Sequence, residues 1–399
     1  MKKSSAKIKI KTVLSHYDAI LAILVLFICV FGLIMIYSAS SYRAQYYYQD
    51  SKLYFRNQGR FLLAGAALMI LISFINYRVY FKCIKIKKIK IPVVFFLFLI
   101  CAALQWFALF NGHEAGGSSR WIQFGPVNLQ PSELSKVCFV LCGAFVARWF
   151  RFVLNNKNML LNFLGYCGAM AVFGAILIPV ALQNLSSAII LAGILTVIYF
   201  CVSMDKKYFI LVVILLVVAV IFLINAESYR SARIEHFLNP ETMDPGDQIL
   251  QGMYAIASGG LFGKGLGNSV QKLGNIPEVH TDMIFTIICE ELGIIGGIAL
   301  IGLFLLLLWR IFKIALNAPD MYGSLIATGV FAQIALQVMM NIAVVTNSMP
   351  ATGVPLPFVS YGGSSLLILM AEIGVVLNVS KRTDEVIPDD EEYDEFEEE

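Results

Sequence analysis

Charge is what this chain has least of. Asp, Glu, Lys and Arg make up 14% of its 399 residues, histidine occurs four times, and 58% of the chain is hydrophobic. Soluble domains carry roughly 25% charge, so a soluble globular fold is excluded. Other absences narrow the class further. There is no P-loop, no glycine fingerprint on a strand and no repeat of 20–50 residues, which removes nucleotide-binding domains and solenoids. The eight cysteines (Cys29, Cys83, Cys101, Cys138, Cys142, Cys167, Cys201 and Cys289) show no Cys-x-x-Cys and no Cys/His ligand spacing. None falls in a long polar segment, so they read as small apolar residues rather than disulfides or zinc ligands.

What remains is a succession of apolar runs long enough to cross a bilayer. They fall near 18–38, 61–80, 91–110, 134–150, 159–182, 185–204, 208–225, 283–309, 322–346 and 362–379. The first starts after Asp18 and is followed by many others, so it is a span and not a cleaved signal. The expected fold is an all-α integral membrane protein of ten transmembrane helices over residues 18–380. A large external loop, 226–282, joins the seventh and eighth.

Lys and Arg set the sidedness. They crowd the N-terminal segment 1–17 (Lys2, Lys3, Lys7, Lys9, Lys11) and the connection from Arg78 to Lys90. They recur at Arg148, Arg151 and Lys157, at Lys206 and Lys207, at Arg310 and Lys313, and at Lys381 and Arg382. Both termini are then cytoplasmic. The first external connection, with Arg43, Lys52, Arg56 and Arg60, runs against the rule and is outvoted. Residues 384–399 hold 11 acids and no base. Without them 30 bases face 16 acids, a body charge of +14. The tail 381–399 reads as a solvated, disordered cytoplasmic extension.

The motif-like segments all fall in the outward set of connections. Asp282 sits at the mouth of the eighth span, and Glu290 and Glu291 lie about two turns inside it. The bland role for Asp282 is a helix cap. The functional one follows from the cost of ionisable groups against hydrocarbon. Glu133 and Lys136 are spaced i, i+3 at the start of the fourth span, Ser132 reads as its cap, and Lys136 lies a turn inside the membrane. The segment 347–365 carries no charge but three prolines and three glycines. It is incompatible with a regular helix and reads as a re-entrant wall of a polar cavity. Gly259–Gly267 lacks the strand and spacing of a phosphate loop and reads as a tight external turn.

Three segments together carry a resemblance. They are Arg120-Trp121-Ile122 with Gln130-Pro131-Ser132-Glu133-Leu134-Ser135-Lys136, then Pro277-Glu278-Val279-His280-Thr281-Asp282, then Pro355-Leu356-Pro357-Phe358-Val359-Ser360-Tyr361-Gly362-Gly363-Ser364-Ser365. In order and over residues 15–382, they resemble the SEDS family (shape, elongation, division and sporulation). Gly267-Asn268-Ser269-Val270-Gln271-Lys272-Leu273 is more similar to the division branch than to the elongation branch. One departure stands out: the family commonly has Pro-Asp-Leu-Gly-Thr after the fifth span, and Gln183-Asn184-Leu185-Ser186-Ser187 stands here, with Asn184 in place of an acid.

The resemblance implies a peptidoglycan glycosyltransferase that polymerises lipid II on the outer face of the bacterial cytoplasmic membrane, at the division septum. It implies a divalent cation (Mg2+ or Mn2+) and a class B penicillin-binding protein as partner, alongside other division proteins. No nucleic-acid partner is expected. The family's catalytic Asp falls on Asp282, and its helix pair on Glu133 and Lys136. Arg120, Arg230, Arg233, Gln251, Lys264 and His280 are the expected contacts to substrate or diphosphate, since clustered cations suit a phosphate group. Two other readings remain open: a flippase for the lipid-linked precursor, and a non-catalytic division scaffold. Inverted repeats, frequent in transporters, are not evident.

Overall fold

The computed structural model describes residues 17–86, 89–114, 119–124, 127–149, 159–203, 210, 213–214, 217–218, 221, 233–235, 237–238, 247–273, 276 and 279–381. It is mostly helical. The long helices are α1 (Ala19–Tyr48), α2 (Leu53–Phe74), α3 (Val93–Asn111), α4 (Pro131–Trp149), α5 (Met159–Gln183), α6 (Leu185–Val202), α8 (Ile284–Leu316), α9 (Met321–Val345) and α10 (Gly363–Lys381). A shorter α7 (Gln248–Gly259) precedes α8. Among the described residues, seven helices are long and apolar enough to cross a membrane: α1, α2, α3, α6, α8, α9 and α10. The expected seventh span, 208–225, and the two charged termini lie largely outside the described residues.

Two expectations need correction. The fold is mostly but not purely α-helical, because two connections carry short strands. Short strands β1 (Cys83–Ile86) and β2 (Ile89–Pro92) form an antiparallel hairpin in the basic connection. β3 (His113–Glu114), β4 (Ser119–Phe124) and β5 (Val127–Leu129) form a three-stranded sheet before α4. Their β-branched and aromatic residues suit half-covered strands. Ser132 is not the cap of α4 either. Pro131, preset for a first helical turn, already opens the helix, and the Ser132 hydroxyl is buried without a hydrogen-bond partner.

Helix lengths also differ from the apolar runs. α1 continues ten residues past the expected span, and α2 begins eight residues before it. Both extensions are rich in tyrosine and polar residues, which water stabilises as readily as lipid. α10 packs along α2, α8 along both α7 and α9, and α6 along α9.

At the end of the bundle away from Asp282, buried and half-buried polar pairs pin the helices. Arg310 donates to Asp18 (2.6 Å), and Asp320 caps α9 while accepting from Arg78 (3.0 Å) and Tyr77. Asn378 of α10 accepts from the Tyr77 amide (3.0 Å) and donates to the Ser73 carbonyl (2.7 Å). With no hydrophobic drive between helices in lipid, such contacts and close packing hold a bundle together. At Gly374 a β-carbon would stand 2.6 Å from the Met69 carbonyl, so α10 approaches α2 backbone to backbone.

Candidate active site

Asp282 lies just before α8 but does not cap it. Met283 holds the cap position, and no side chain accepts the first helical amides. The half-buried Asp282 carboxylate instead accepts from Gln248 Nε2 (3.2 Å) and from the Thr281 hydroxyl (3.3 Å). Its main chain is held separately. Asn341 Nδ2 of α9 donates to the Asp282 carbonyl (2.7 Å) and also to the Val354 carbonyl (2.8 Å). The Asp282 carboxylate is thus turned towards α7 at the mouth of the helix rather than spent on capping α8.

The segment 346–362 has no regular helix, as its prolines and glycines require, and is buried from Leu356 to Ser360. Its polar backbone is satisfied from many directions. Gln58 of α2 donates to the Ser360 carbonyl and accepts from the Gly362 amide; Ser186 donates to the Thr352 carbonyl (3.1 Å) and Arg233 to the Ala351 carbonyl (2.9 Å). Gly353 (φ 66°) passes so close that a β-carbon there would sit 3.7 Å from Asp282 Oδ2. A small cavity opens along this wall, lined by Gln337, Pro355, Phe358, Tyr361 and Ser365 among others.

Ser365, which lines the same cavity, joins it to the helix pair. Lys136, 2% exposed, donates to Glu133 Oε1 (2.6 Å), and Ser365 of α10 donates to Glu133 Oε2 (2.7 Å). Gln333 of α9 donates to the fully buried Glu372 of α10 (2.7 Å), which lies within electrostatic reach of Lys136 and Glu133. Lys136 thus pairs with Glu133 and lies within electrostatic reach of a second carboxylate inside the bundle.

His280 occupies the near side of the mouth. Its ring packs against Tyr54 (4.3 Å between centroids) and Tyr361 (5.4 Å), and its carbonyl accepts from the Tyr361 amide (2.8 Å). Burial, with Arg43 adding to it, pushes the imidazole down to about 4 from its ordinary 6.5, so it is neutral near pH 7. The folded state therefore lacks a proton that the unfolded chain binds between those values. The associated stability is complete above pH 6.5 and is lost as pH falls towards 4. Thermal unfolding in detergent should show a midpoint that drops between pH 7 and pH 5, and His280→Phe should flatten that drop. Equal slopes in both proteins would remove His280 as its source.

The remaining expected contacts are dispersed. Arg233 reaches the Ala351 carbonyl of the wall. Gln251 sits on α7, one turn beyond Gln248. Lys264 is drawn away from Asp282, to Glu290 (2.7 Å). Arg230 and the Arg120 side chain lie outside the described residues. Asn184 caps α6 by accepting from the Ser187 amide (3.3 Å), a local duty that an Asp would perform equally. Sequence reasoning assigned no individual role to Gln248, Asn341, Ser365 or Tyr54. The one available signal was Asp247, a capping residue immediately before an apolar-periodic stretch ending in Gly-Gly.

A family model described as cell cycle protein, covering FtsW, RodA and SpoVE, matches residues 18–385. The chain belongs to this family. The stage V sporulation protein E of Bacillus subtilis is 38% identical over 367 residues, covering 91% of this chain and 97% of that protein. The Geobacter metallireducens protein named "Probable peptidoglycan glycosyltransferase FtsW" is 34% identical, covering 94% of this chain and 97% of its own length. Among solved structures, a chain of a peptidoglycan synthase complex that coordinates polymerization and crosslinking superposes with a TM-score of 0.74. It is 26% identical and covers 92% of this chain and 98% of that one. The SEDS resemblance carried by the three motifs is thus borne out along nearly the whole chain.

Proposed function

We propose that the chain polymerises lipid II into glycan strands at the outer face of the cytoplasmic membrane, with Asp282 as the base, in septal synthesis during division. The observation that carries this reading is the Asp282 carboxylate itself. It stands half-buried at a helix mouth without capping duty, oriented by Gln248 and backed by Asn341 and the 346–362 wall.

The donor sugar already bears a diphosphate, so its departure needs no general acid. The acceptor hydroxyl attacks the anomeric carbon, the bond from that carbon to the diphosphate breaks, and Asp282 takes the hydroxyl proton. Gln248 and Thr281 hold the carboxylate in one orientation, and neutral His280 with Tyr54 and Tyr361 walls the mouth against water. Arg233 is a described cation that reaches the wall, at the Ala351 carbonyl, and is assigned to the diphosphate. Mg2+ or Mn2+, which the family implies, fits the oxygen donors present. Among the described residues no three His, Cys, Asp or Glu side chains gather, but Mg2+ is commonly held by one or two carboxylates plus substrate phosphates. Asp282 would be the carboxylate and the diphosphate would complete the shell; the cation would offset the charge of the departing group.

The basic connections support an outward Asp282, and the likeness to a chain from a synthase complex supports pairing with a class B penicillin-binding protein. The ten-span count, with 208–225 as the seventh span, belongs to the same reading. The test is purified protein with labelled lipid II, read on a gel. Polymer is expected with no other glycosyltransferase present. Transfer of lipid II across liposomes without polymer would point to a flippase, and neither result to a scaffold. In intact cells, Ser348→Cys, at the Asp282 end, should react with an impermeant thiol reagent; protection with labelling of the other end instead would reverse the orientation.

A further inference from the structure

The function just proposed leaves two buried acids unused. Glu290 and Glu291 lie on α8 two turns past Asp282 and are both fully buried. A carboxylate at that depth is costly unless its oxygens are paired. Each is saturated. Glu290 accepts from Lys264 Nζ (2.7 Å), the Val270 amide (3.0 Å) and the Ser269 hydroxyl. Glu291 accepts from Lys272 Nζ (2.8 Å) and the Ser38 hydroxyl of α1 (2.7 Å). All but one of these donors lie in the turn that follows α7.

The backbone of that turn is fitted to α8 as closely as chains can approach. α8 breaks at Gly293 (φ 73°), which strips its neighbours of helical partners. The turn supplies them: Ile294 N donates to the Gly260 carbonyl (2.9 Å), Lys264 N to the Glu290 carbonyl (2.9 Å) and Gly265 N to the Glu291 carbonyl (3.0 Å). A β-carbon at Gly263 would stand 2.2 Å from the Glu291 carbonyl oxygen, and one at Gly259 would stand 2.1 Å from that of Cys289. Only glycine permits this seat. At the other end of α7, a β-carbon at Gly252 would meet Met283, the residue beside Asp282, at 2.4 Å. α7 therefore lies along the first two turns of α8. It is anchored at its C-terminal end by ion pairs and presents Gln248 to Asp282 at its N-terminal end.

We propose that Glu290 and Glu291 are positioning residues. Through Lys264 and Lys272 they latch α7 onto the broken helix, so that Gln248 keeps the Asp282 carboxylate in its reactive orientation. The proposal rests on Asp282 being the base. It gives Lys264 a task other than touching the diphosphate.

Kinetics and distances test it separately. Lys264→Met should lower kcat on the order of ten- to hundredfold, the cost of misplacing a catalytic group, with KM for lipid II unchanged within about twofold. Lys264→Arg should recover most of the loss. Combining Lys264→Met with Gln248→Ala should cost no more than the worse single change, because both act on the same contact. Spin labels at Tyr254→Cys on α7 and Ser348→Cys on the wall, in a cysteine-free background, should give one narrow distance that broadens in Lys264→Met. If the unpaired Glu290 prevents folding, Lys264→Met with Glu290→Gln removes both charges and should broaden the distance likewise. A raised KM at constant kcat, additive losses, or an unchanged distance would overturn the latch. Should Asp282→Asn retain polymerisation, the base reading falls, while the spin distances still decide whether α7 is latched.

Discussion

Asp282→Asn should abolish polymerisation while leaving the protein folded. A positioned general base contributes on the order of 10²–10⁴-fold, and a loss within that range is expected in kcat. Asparagine has the same shape and retains one acceptor oxygen, so the bond from Gln248 Nε2 and the bond from Thr281 can both persist. The Asp282 carbonyl, held by Asn341, is untouched by the change. Expression, thermal midpoint and partner binding should therefore match the wild type. Had Asp282 been a helix cap, asparagine would have served as well and the effect would have been slight. The position of Met283 at the cap already argues against that role. Wild-type polymer yield from the Asn variant, at equal protein, would sink the assignment of the base. A second arm uses Gln248→Ala, which leaves the carboxylate in place but frees it to rotate. It should cost less than the Asn change and should act on kcat rather than KM.

The seven spans that the described residues show were legible because lipid leaves the chain little choice. Runs of about twenty apolar residues must be helices when no water is present to bond their backbone. The irregular wall was legible for the converse reason, since Pro350, Pro355, Pro357 and Gly353 forbid a helix in a segment without charge. Glu133 and Lys136 could be paired on paper, because a spacing of three places them on one face. Partners from distant elements could not be read. Nothing local to Ser365 announces that its hydroxyl meets Glu133, 232 positions away, or that Gln248 meets Asp282 across 34. Lys264 illustrates the error this produces. In sequence it is one of several cations in a loop rich in candidates for phosphate; in space its partner is Glu290, whose burial depends on a helix break that only Gly293 and the facing turn explain together. Helix ends were misjudged where apolar runs stop but helices do not, as in the tyrosine-rich end of α1.

Lys136→Met should lower both stability and activity, and adding Glu133→Gln should separate the two. The substitution keeps the side-chain volume but removes the cation that, among the described residues, pairs with Glu133 and lies near Glu372. Breaking a buried ion pair by deleting one partner costs about 3–5 kcal/mol, because the other charge is left uncompensated. A lowered thermal midpoint is expected, together with loss of most polymerisation. Glu133→Gln added to Lys136→Met removes the orphaned charge, and the amide can still accept from the Ser365 hydroxyl. The double variant should therefore regain thermal stability. It should not regain polymerisation, because the cation reaching into the polar interior beneath the 346–362 wall is still absent. Electrostatic help for a departing diphosphate is worth most where water is excluded, which is where Lys136 sits. Recovery of both stability and polymer in the double variant would mean that the lysine only neutralises Glu133, and that the wall and Asp282 work without a cation from α4.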